Sequence, residues 1–385
     1  MEALLLSMYL PRGLLVWHPQ KTNKEGNDAP AVVLYLPTGL SSTSQEPNEL
    51  TLDHLRASIN LPLVRINYRI GKTDRFPAPL HDVLAGYDWV LENLLPTPPA
   101  ARGERSESLG KVAVYGELVG GGLATALALT ECRIGEPGVV ATAVSNPIVD
   151  WLALDEKSKS STPPESKSGG SPTADTSMIS LRELQHLRSQ VFAKPSHYFD
   201  PFASPLLFFR SAGVDASPDH GDVPQDNLEH LLDSSDVESE DGSNAEEILA
   251  TSDNSIPPAK RRASRRFPSK KMGLQLPSFY ISASEGSPLT GQAIELAHHL
   301  RASFVRQRKN ATAEVSGFGR KVLVDGEEDQ LTKDQKATLE AGIADGRKNV
   351  RLDLYGGGES SDDYTEEARM DRMMKWMNTH RTSGI

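Results

Sequence analysis

The stretch that most constrains the fold of this 385-residue chain is KVAVYGELVGGGLATALALTE, residues 111–131. It opens with a short apolar run typical of a buried strand and turns sharply on Gly116. After Gly120, Gly121 and Gly122 it continues as an alanine- and leucine-rich run typical of a helix. A strand that passes directly into a helix predicts a sheet covered by helices. Leu118 lies in the middle of this turn, so the chemistry of the turn depends on what a leucine can do there.

Apolar runs of strand length alternate with helical patterns along most of the chain. The strand candidates are residues 31–37, 61–70, 111–116, 138–147, 276–284 and 350–355. The helical patterns between and after them are residues 81–95, the alanine-rich run after Gly122, residues 290–307 and a final helix near 366–378. This alternation predicts right-handed βαβ units and a mostly parallel, doubly wound α/β sheet.

Composition excludes several classes of protein. The net charge of −11 argues against a nucleic-acid partner, because the phosphate backbone favours an excess of Lys and Arg. Cys132 is the single cysteine, so no internal disulfide forms and a cytoplasmic or nuclear location is favoured over secretion. The apolar N-terminus lacks a signal-peptide pattern, and Pro11 interrupts it short of the ~20 residues that a membrane span requires. We predict no cofactor. We also predict no metal, because adjacent His298 and His299 point about 100° apart on a helix and cannot both face one ion.

Polar tracts divide the predicted domain into parts. One tract is rich in Ser, Pro, Gly and Lys, and another is acidic and then basic; neither buries enough apolar surface to offset its ordering entropy. An aromatic segment between them, HYFDPFASPLLFFRSAG, predicts a cap over the carboxyl edge of the sheet. The predicted organisation has five parts. Residues 1–155 are the N-terminal part of the sheet domain, residues 156–178 a disordered loop and residues 179–212 a cap-like segment. Residues 213–271 are a disordered charged insertion, and residues 272–385 are the C-terminal part of the sheet domain.

The charged insertion is the clearest candidate for regulation. Residues 215–253 carry thirteen acidic side chains and no Lys or Arg, and residues 260–271 are strongly basic. Ser264 follows two arginines, Arg261 and Arg262, as basophilic kinases prefer. Ser235 is followed three residues later by Glu238, as acidophilic kinases prefer. We hypothesise that the acidic tract folds back on the basic one and that a phosphate on Ser264 loosens it. The alternatives are a solvated linker and a nuclear-import signal.

Several motifs in order give the chain a resemblance to a known family. They are the strand–glycine turn–helix unit, INYRI at residues 66–70, FPAPLHDVLAGYDWV at residues 76–90 with Asp82, and EGSPL at residues 285–289. In this order and spacing they resemble the α/β-hydrolase superfamily, specifically its lipase and carboxylesterase branch related to hormone-sensitive lipase. The resemblance implies an α/β-hydrolase fold with a helical cap and ester-hydrolysing chemistry.

In that family a serine attacks the ester, a histidine moves the proton and an acid orients the histidine. Aligned to this pattern, the nucleophile position is Leu118, the acid position is Ser287 and the histidine position is Ser360. An alkyl side chain cannot attack a carbonyl, and serine supplies no charge to stabilise an imidazolium. The triad is therefore degenerate, with Glu117 and Glu359 as the only weak substitutes that the alignment suggests.

The resemblance also implies an oxyanion hole of backbone N–H groups. Its counterparts here are Thr38 and Gly39 in the loop LPTGL and Gly116, Val119 and Gly120 in the turn. These groups could still bind an anion without a nucleophile beside them.

We therefore predict a pseudoenzyme, an esterase-like and lipase-like α/β-hydrolase-fold protein that lacks the Ser-His-Asp triad. Its expected role is to bind a small apolar or acyl ligand under the cap, or a protein partner through residues 213–271. One alternative is an active carboxylic-ester hydrolase that uses Glu117, Ser287 or Glu359. A second is a purely structural protein whose pocket is filled by side chains.

Overall fold

A computed structural model of the protein describes residues 13–19, 30–40, 46–95, 109–154, 179–212, 265–316, 333–356 and 366–380. The predicted loop at 156–178 and the part of the charged insertion at 213–264 lie outside these residues, as do Ser235, Ser264, Glu359 and Ser360.

Seven described strands form one sheet. Six of them match the strand candidates given above, and the seventh lies in the apolar N-terminal stretch, which the sequence also favours as strand. The strands are β1 (Leu14–Trp17), β2 (Ala31–Leu36), β3 (Leu63–Ile66), β4 (Lys111–Glu117), β5 (Gly138–Ser145), β6 (Ser278–Ser284) and β7 (Val350–Tyr355). Their order across the sheet is β1-β3-β2-β4-β5-β6-β7. Only the β1–β3 pair is antiparallel. The predicted mostly parallel, doubly wound sheet is confirmed.

Helices cover both faces of this sheet. They are α1 (Glu46–Ser58), α2 (Ala78–Asn93), α3 (Val119–Thr130), α4 (Leu181–Val191), α5 (Thr290–Ser316), α6 (Lys333–Asn349) and α7 (Glu366–His380). Buried residues of α2, α3, α4 and α5 belong to the core on one face, and those of α1 and α7 to the core on the other.

Strand β4 shows why the central strands are continuous apolar runs in the sequence. Val112 and Val114 belong to the first core, whereas Ala113 and Tyr115 belong to the second. Residues 112–116 of β4 are all buried on one face or the other, so this part of the strand shows no polar alternation. The register then aligns the carboxyl ends of β2, β4, β5 and β6 at one edge, with Glu117 beside Ser145.

Two boundaries differ from the sequence-based prediction. Helix α3 begins at Val119 rather than after Gly122, so the three glycines lie within its first turn. They do so because α3 packs closely on β2 and on the segment after β5. A Cβ atom on Gly120 would lie 2.3 Å from the carbonyl oxygen of Leu36, and one on Gly122 would lie 2.3 Å from that of Ile148. The charged insertion is also shorter than predicted at its end, because residues 265–271 are described and Phe267 is buried at 5 % exposure.

Among the described residues, the helices are all too short or too polar to cross a bilayer.

Candidate functional site

The turn between β4 and α3 retains a geometry that only glycine permits at its two ends. A Cβ atom on Gly116 would lie 2.3 Å from the carbonyl oxygen of Gly120. A Cβ atom on Gly120 would lie 2.3 Å from the carbonyl oxygens of Leu36 and Pro37 at the end of β2. The helix therefore starts directly against the edge of the sheet, and the residue between the glycines is forced into a tight elbow.

Leu118 occupies this elbow in a conformation that leucine rarely adopts. Its φ is 48° and its ψ is −110°. A non-glycine residue in such a region costs about 1–3 kcal/mol, and burying a leucine side chain contributes about 1.5–3 kcal/mol. The Leu118 side chain is only 9 % exposed and belongs to the first core, so burial offsets the strain.

Backbone hydrogen bonds hold the elbow in place. The Leu118 N–H donates to the carbonyl oxygen of Ser145 at 3.1 Å, and the Leu118 carbonyl accepts from Ile148 at 3.1 Å and from Gly122 at 3.0 Å. The elbow is therefore anchored to the chain that follows β5. Its strained shape persists although the side chain that it presents has no nucleophilic atom.

The expected oxyanion groups come together, but they bond to one another. The Val119 N–H donates to the carbonyl oxygen of Thr38 at 3.3 Å. Gly39 has a φ of +75°, and a Cβ atom on it would lie 3.0 Å from the Val119 Cβ. The Tyr68 hydroxyl fixes the same loop by donating to the carbonyl of Pro37. The Val119 N–H, which an oxyanion would need as a donor, is therefore already bonded to a carbonyl oxygen.

Glu117 does not face this elbow cleft. Its carboxylate accepts hydrogen bonds from the hydroxyl of Tyr115 and, at 3.3 Å, from that of Thr51 on α1. Tyr115 and α1 belong to the opposite core from Leu118. Burial, reinforced by the charge of Glu117, raises the pKa of the Tyr115 hydroxyl well above its usual range, so this hydroxyl stays protonated and donates. Glu117 is thus held by hydrogen bonds on the face away from the cleft.

Ser287 lies in the turn that leads into α5. Its hydroxyl accepts a hydrogen bond from the Leu289 N–H at 3.2 Å, and its carbonyl accepts from the Thr290 N–H at 3.1 Å. These are the contacts of a residue that satisfies free N–H groups before a helix. The structure assigns Ser287 no imidazole partner among the described residues.

Among the described residues, several histidines stack on or bond to groups outside the elbow. His380 stacks on Trp376 with ring centroids 4.4 Å apart at the end of α7, which packs on the other core. His299 stacks on Phe209, and the described residues contain no group of three His, Cys, Asp or Glu side chains that could hold a metal. His197, which sequence reasoning missed, packs on Phe76 with ring centroids 6.1 Å apart.

A small apolar cavity lies beside the elbow. Its volume is about 20 Å³, roughly the space of one water molecule, whereas ligand pockets span about 300–1,000 Å³. The lining carries no hydroxyl, thiol, carboxylate or imidazole group, and it consists of Phe76, Pro79, Val119, Gly122, Leu123, Ile148, Trp151, Val191, Phe192, Phe202 and Ala203. The segment predicted as a cap supplies Phe202 and Ala203 to this lining.

A buried ion network ties this segment to the sheet, and sequence reasoning missed it. The Arg210 guanidinium contacts the Asp150 carboxylate at 2.6 Å and also the Glu295 carboxylate on α5. Asp150 has no exposed surface, and its other oxygen accepts from the Leu152 N–H at 2.9 Å. The Gln292 amide accepts from the Asp150 N–H and donates to its carbonyl. Arg210 therefore neutralises a carboxylate that has no other cation within ion-pair distance among the described residues.

Comparison with known proteins gives one family match, over part of the chain. Residues 39–218 match the sequence model of a family described as having the alpha/beta hydrolase fold. No curated protein matches the chain.

Several solved structures are similar to the chain. A hyperthermophilic esterase from the archaeon Pyrobaculum calidifontis is 17% identical, with 96% of this chain and 82% of that one covered at a TM-score of 0.49. Carboxyl esterase 2 from the fungus Tuber melanosporum is 11% identical, with 96% and 85% covered at 0.48. An esterase from the bacterial hormone-sensitive lipase family is 15% identical, with 97% and 87% covered at 0.45. Similarities at this level do not indicate a shared activity.

The matched residues, the strand order and the glycine elbow agree with one another. They show that the chain has the α/β-hydrolase fold.

Proposed function

We propose that this protein no longer hydrolyses esters and that its α/β-hydrolase fold serves as a scaffold for binding a partner. The observation that carries the proposal is Leu118 at the elbow, strained at a φ of 48° and buried in the core. Removing the nucleophile from such a site costs roughly a factor of 10⁶ in turnover. The hydrogen bond from Val119 to Thr38 supports the same conclusion, since it occupies the amide that would stabilise the oxyanion.

Within this proposal a macromolecular partner is favoured over a small acyl ligand. The cavity beside Leu118 has a volume of about 20 Å³, which is less than a short acyl chain needs. Aromatic side chains fill the region, since Phe192 packs on Phe76, Trp151 and Tyr198 with ring centroids 5.5, 5.2 and 4.9 Å apart. A pocket filled by its own side chains leaves the surface and the insertion as the places where a partner can bind.

The charged insertion is the element that we propose contacts a protein partner. Its sequence combines an acidic tract at 215–253 with a basic run at 260–271, and Ser235 and Ser264 are the proposed sites at which phosphorylation regulates it. A cytoplasmic or nuclear setting is part of the proposal. The single cysteine, Cys132, supports it, because the protein carries no pair of cysteines to cross-link.

One observation favours the alternative of an active ester hydrolase with unusual residues. The Nδ1 atom of His197 is buried and has no hydrogen-bond partner among the described residues, and its ring packs on Phe76, which lines the cavity. An imidazole without a partner is a candidate general base. The alternative still lacks a nucleophile, because Glu117 is bonded on the other face and Ser287 is bonded within its turn.

An ester-hydrolysis assay distinguishes a protein without catalysis from an active hydrolase with unusual residues. The purified protein is incubated with nitrophenyl acetate and nitrophenyl decanoate beside the variants Leu118→Ala, Glu117→Gln and His197→Ala. We expect all four proteins to match the rate of the buffer blank. Turnover above the blank that Glu117→Gln or His197→Ala abolishes would establish an unusual hydrolase instead.

A thermal-shift panel then distinguishes a small ligand from a macromolecular partner. Fatty acids and esters of increasing chain length are added to the full chain. Because the cavity beside Leu118 is so small, we expect no shift in melting temperature at any chain length. A shift that grows with chain length would assign the protein to ligand binding.

A further inference from the structure

Strand β7 forms one edge of the sheet. It pairs with β6 along residues 350–355 without a bulge, and no described strand pairs with its other side. Such an edge presents a row of N–H and C=O groups to which another strand can bond, and native proteins blunt it with proline, a bulge or charged side chains. The sequence of β7, VRLDLY, carries two charges, Arg351 and Asp353, and no proline. The opposite signs of these charges decide which partner strand the edge accepts.

The backbone groups of alternate residues in β7 point away from the sheet. The Tyr355 carbonyl accepts from the Glu285 N–H at 2.9 Å, so it points toward β6. Because the backbone groups of successive residues in a strand point to opposite sides, those of Leu352 and Leu354 point outward. The Val350 carbonyl points the same way, and the Arg301 guanidinium of α5 donates to it at 3.1 Å. The even-numbered residues therefore offer the groups to which a partner strand would bond.

The side chains of β7 divide between the two faces of the sheet. The Arg351 Cζ atom lies 5.4 Å from the centre of the Tyr280 ring, and the Asp353 carboxylate accepts from the Tyr280 hydroxyl, so both charges lie on one face. Leu352 and Leu354 lie on the other face, where they are half-buried and pack against the first core. A partner strand would thus meet charges on one face and leucines on the other.

We propose that two copies of the chain pair antiparallel through β7, with Leu352 at the two-fold axis between them. The outward groups belong to even-numbered residues, so Leu352 faces its own copy and Val350 faces Leu354 of the second copy. Arg351 then lies directly opposite Asp353 of the second copy, and the symmetry repeats this pair, with Cβ atoms about 4.5–5.5 Å apart. The paired strands gain two opposite-charge contacts on one face and cover their leucines on the other.

The charges disfavour the neighbouring registers. An axis at Arg351 places this residue opposite its own copy, and an axis at Asp353 does the same with the carboxylate. Like charges directly opposite each other destabilise a strand pair. An axis at Leu354 pairs only residues 353–355, which leaves half of the strand without a partner. The axis at Leu352 is the register that joins opposite charges along the whole of β7.

The order of the charges favours a second copy over an unrelated peptide. A peptide would need an acidic and a basic residue in the matching order, whereas a second copy supplies both by symmetry. Asp353 also receives the Arg372 guanidinium at 3.4 Å, so its carboxylate would lie between two cations. A six-residue strand covers less area than the ~1,200–2,000 Å² of a stable interface, so we expect a weak and reversible dimer.

This dimer is independent of the loss of ester hydrolysis and of partner binding by the charged insertion. It has a consequence for the latter, because a dimer carries two copies of the insertion. A partner with two binding sites would be held more tightly by the dimer than by one copy.

Sedimentation velocity with charge-exchanged variants tests the proposal. The native full chain should shift from monomer to dimer with a dissociation constant in the micromolar range. Asp353→Arg sets an arginine opposite Arg351, and Arg351→Asp sets an aspartate opposite Asp353, so each variant alone should dimerise about tenfold more weakly. An equimolar mixture of the two variants restores opposite charges at both positions and should dimerise about as strongly as the native chain. A role of these residues within one copy predicts no such rescue by mixing.

A cross-link at the two-fold axis gives a second measurement that changes no charge. Leu352→Cys places two thiols opposite each other, and a short bismaleimide should join them into a covalent dimer. Cys132 does not compete, because it is buried and burial raises its pKa to about 12. Leu50→Cys, at a leucine of α1 that is 65% exposed, is the control and should cross-link only at the rate of random collisions.

Three results would overturn the proposal. They are a native chain that stays monomeric at every concentration, a mixture of the charge variants that associates no better than either variant alone, and equal cross-linking of Leu352→Cys and Leu50→Cys. Melting temperatures of all variants accompany these measurements. Should a charge variant fail to fold, the cross-link at Leu352→Cys decides.

Discussion

The backbone N–H of Val119 donates a hydrogen bond to the carbonyl oxygen of Thr38, 3.3 Å away. In a catalytic elbow the corresponding N–H is free to meet the negative charge that develops on the ester oxygen. Here the Val119 N–H bonds to a carbonyl oxygen, whose partial charge is negative like the charge on the ester oxygen. The loop after β2 and the elbow after β4 therefore stabilise each other, and the groups that could bind an anion have become part of the packing.

The strain at Leu118 predicts an unusual order of stabilities. Leu118→Ala should lower the free energy of unfolding by about 2–4 kcal/mol, because it removes a buried side chain. Leu118→Gly removes the same contacts but relieves the φ of 48°. The glycine variant should therefore be at least as stable as the alanine variant, which urea denaturation measures. At an ordinary helical or extended position glycine is the less stable of the two, so that order would mean the elbow is not strained.

The contact between Gly120 and β2 predicts that this glycine cannot be replaced. Gly120→Ala places a methyl group 2.3 Å from two carbonyl oxygens, so we expect a loss of about 3 kcal/mol or more, or failure to fold. Gly71→Ala is the matched control, because nothing lies within 4 Å of its Cβ position. It should change the melting temperature by little. Equal stability of the two variants would show that α3 does not start against the sheet.

The sheet and the elbow could be predicted because their signals are local. Apolar runs, glycines and turn motifs lie within a few residues of one another, as in residues 111–131. Helix α4 also has a local signal, a capping box in which Ser180 and Glu183 bond to each other's backbone N–H groups. It was not predicted because this box directly follows a long polar tract.

The Arg210 network could not be predicted, since its members are distant in sequence. Arg210 lies 60 residues from Asp150 and 85 from Glu295, at the edge of the charged insertion. Only the fold brings them together. The bonding of Val119 to Thr38 was equally hidden, because motif spacing shows which groups are near and not whether they are already paired.

Removing the cation of this network should destabilise the protein strongly. Arg210→Met leaves Asp150 buried without a positive partner, and we expect a loss of about 3–5 kcal/mol in the free energy of unfolding. Arg56→Met removes one partner of an exposed pair with Asp53, in which the side chains are 35% and 71% exposed. That control should change stability by less than about 1 kcal/mol. Similar small losses in both variants would contradict the network's role.

The acid dependence of stability provides a second measure of the same network. Burial alone would raise the pKa of Glu295, but hydrogen bonds from His299 and Arg210 outweigh it and lower the pKa from 4.5 to about 2. A lowered pKa means that this contribution is present above pH 4.5 and is lost as the pH falls toward 2. Urea denaturation at several pH values in this range should show that the free energy of unfolding of the native protein falls as the pH is lowered. The free energy of unfolding of Arg210→Met should fall less over the same range.

The fixed ends of the charged insertion predict that the domain folds without it. Because Arg265 is bonded to Phe209, replacing residues 213–264 by a short Gly-Ser linker leaves both ends where they are. We expect cooperative thermal unfolding and a gain of about 2 kcal/mol from the smaller closure entropy. Phe267→Ala, which removes a ring of 5% exposure just after the insertion, should instead cost about 3–5 kcal/mol. Loss of cooperative unfolding in the linker variant would mean that the insertion is part of the core.

Intact-protein mass spectrometry after incubation with a fluorophosphonate tests the loss of catalysis most directly. This reagent forms a covalent adduct only with a nucleophile that a base and an oxyanion hole activate. We expect the protein to keep its unmodified mass while a serine esterase in the same tube is fully labelled. A stoichiometric adduct on any serine, threonine or glutamate beside Leu118 would contradict it.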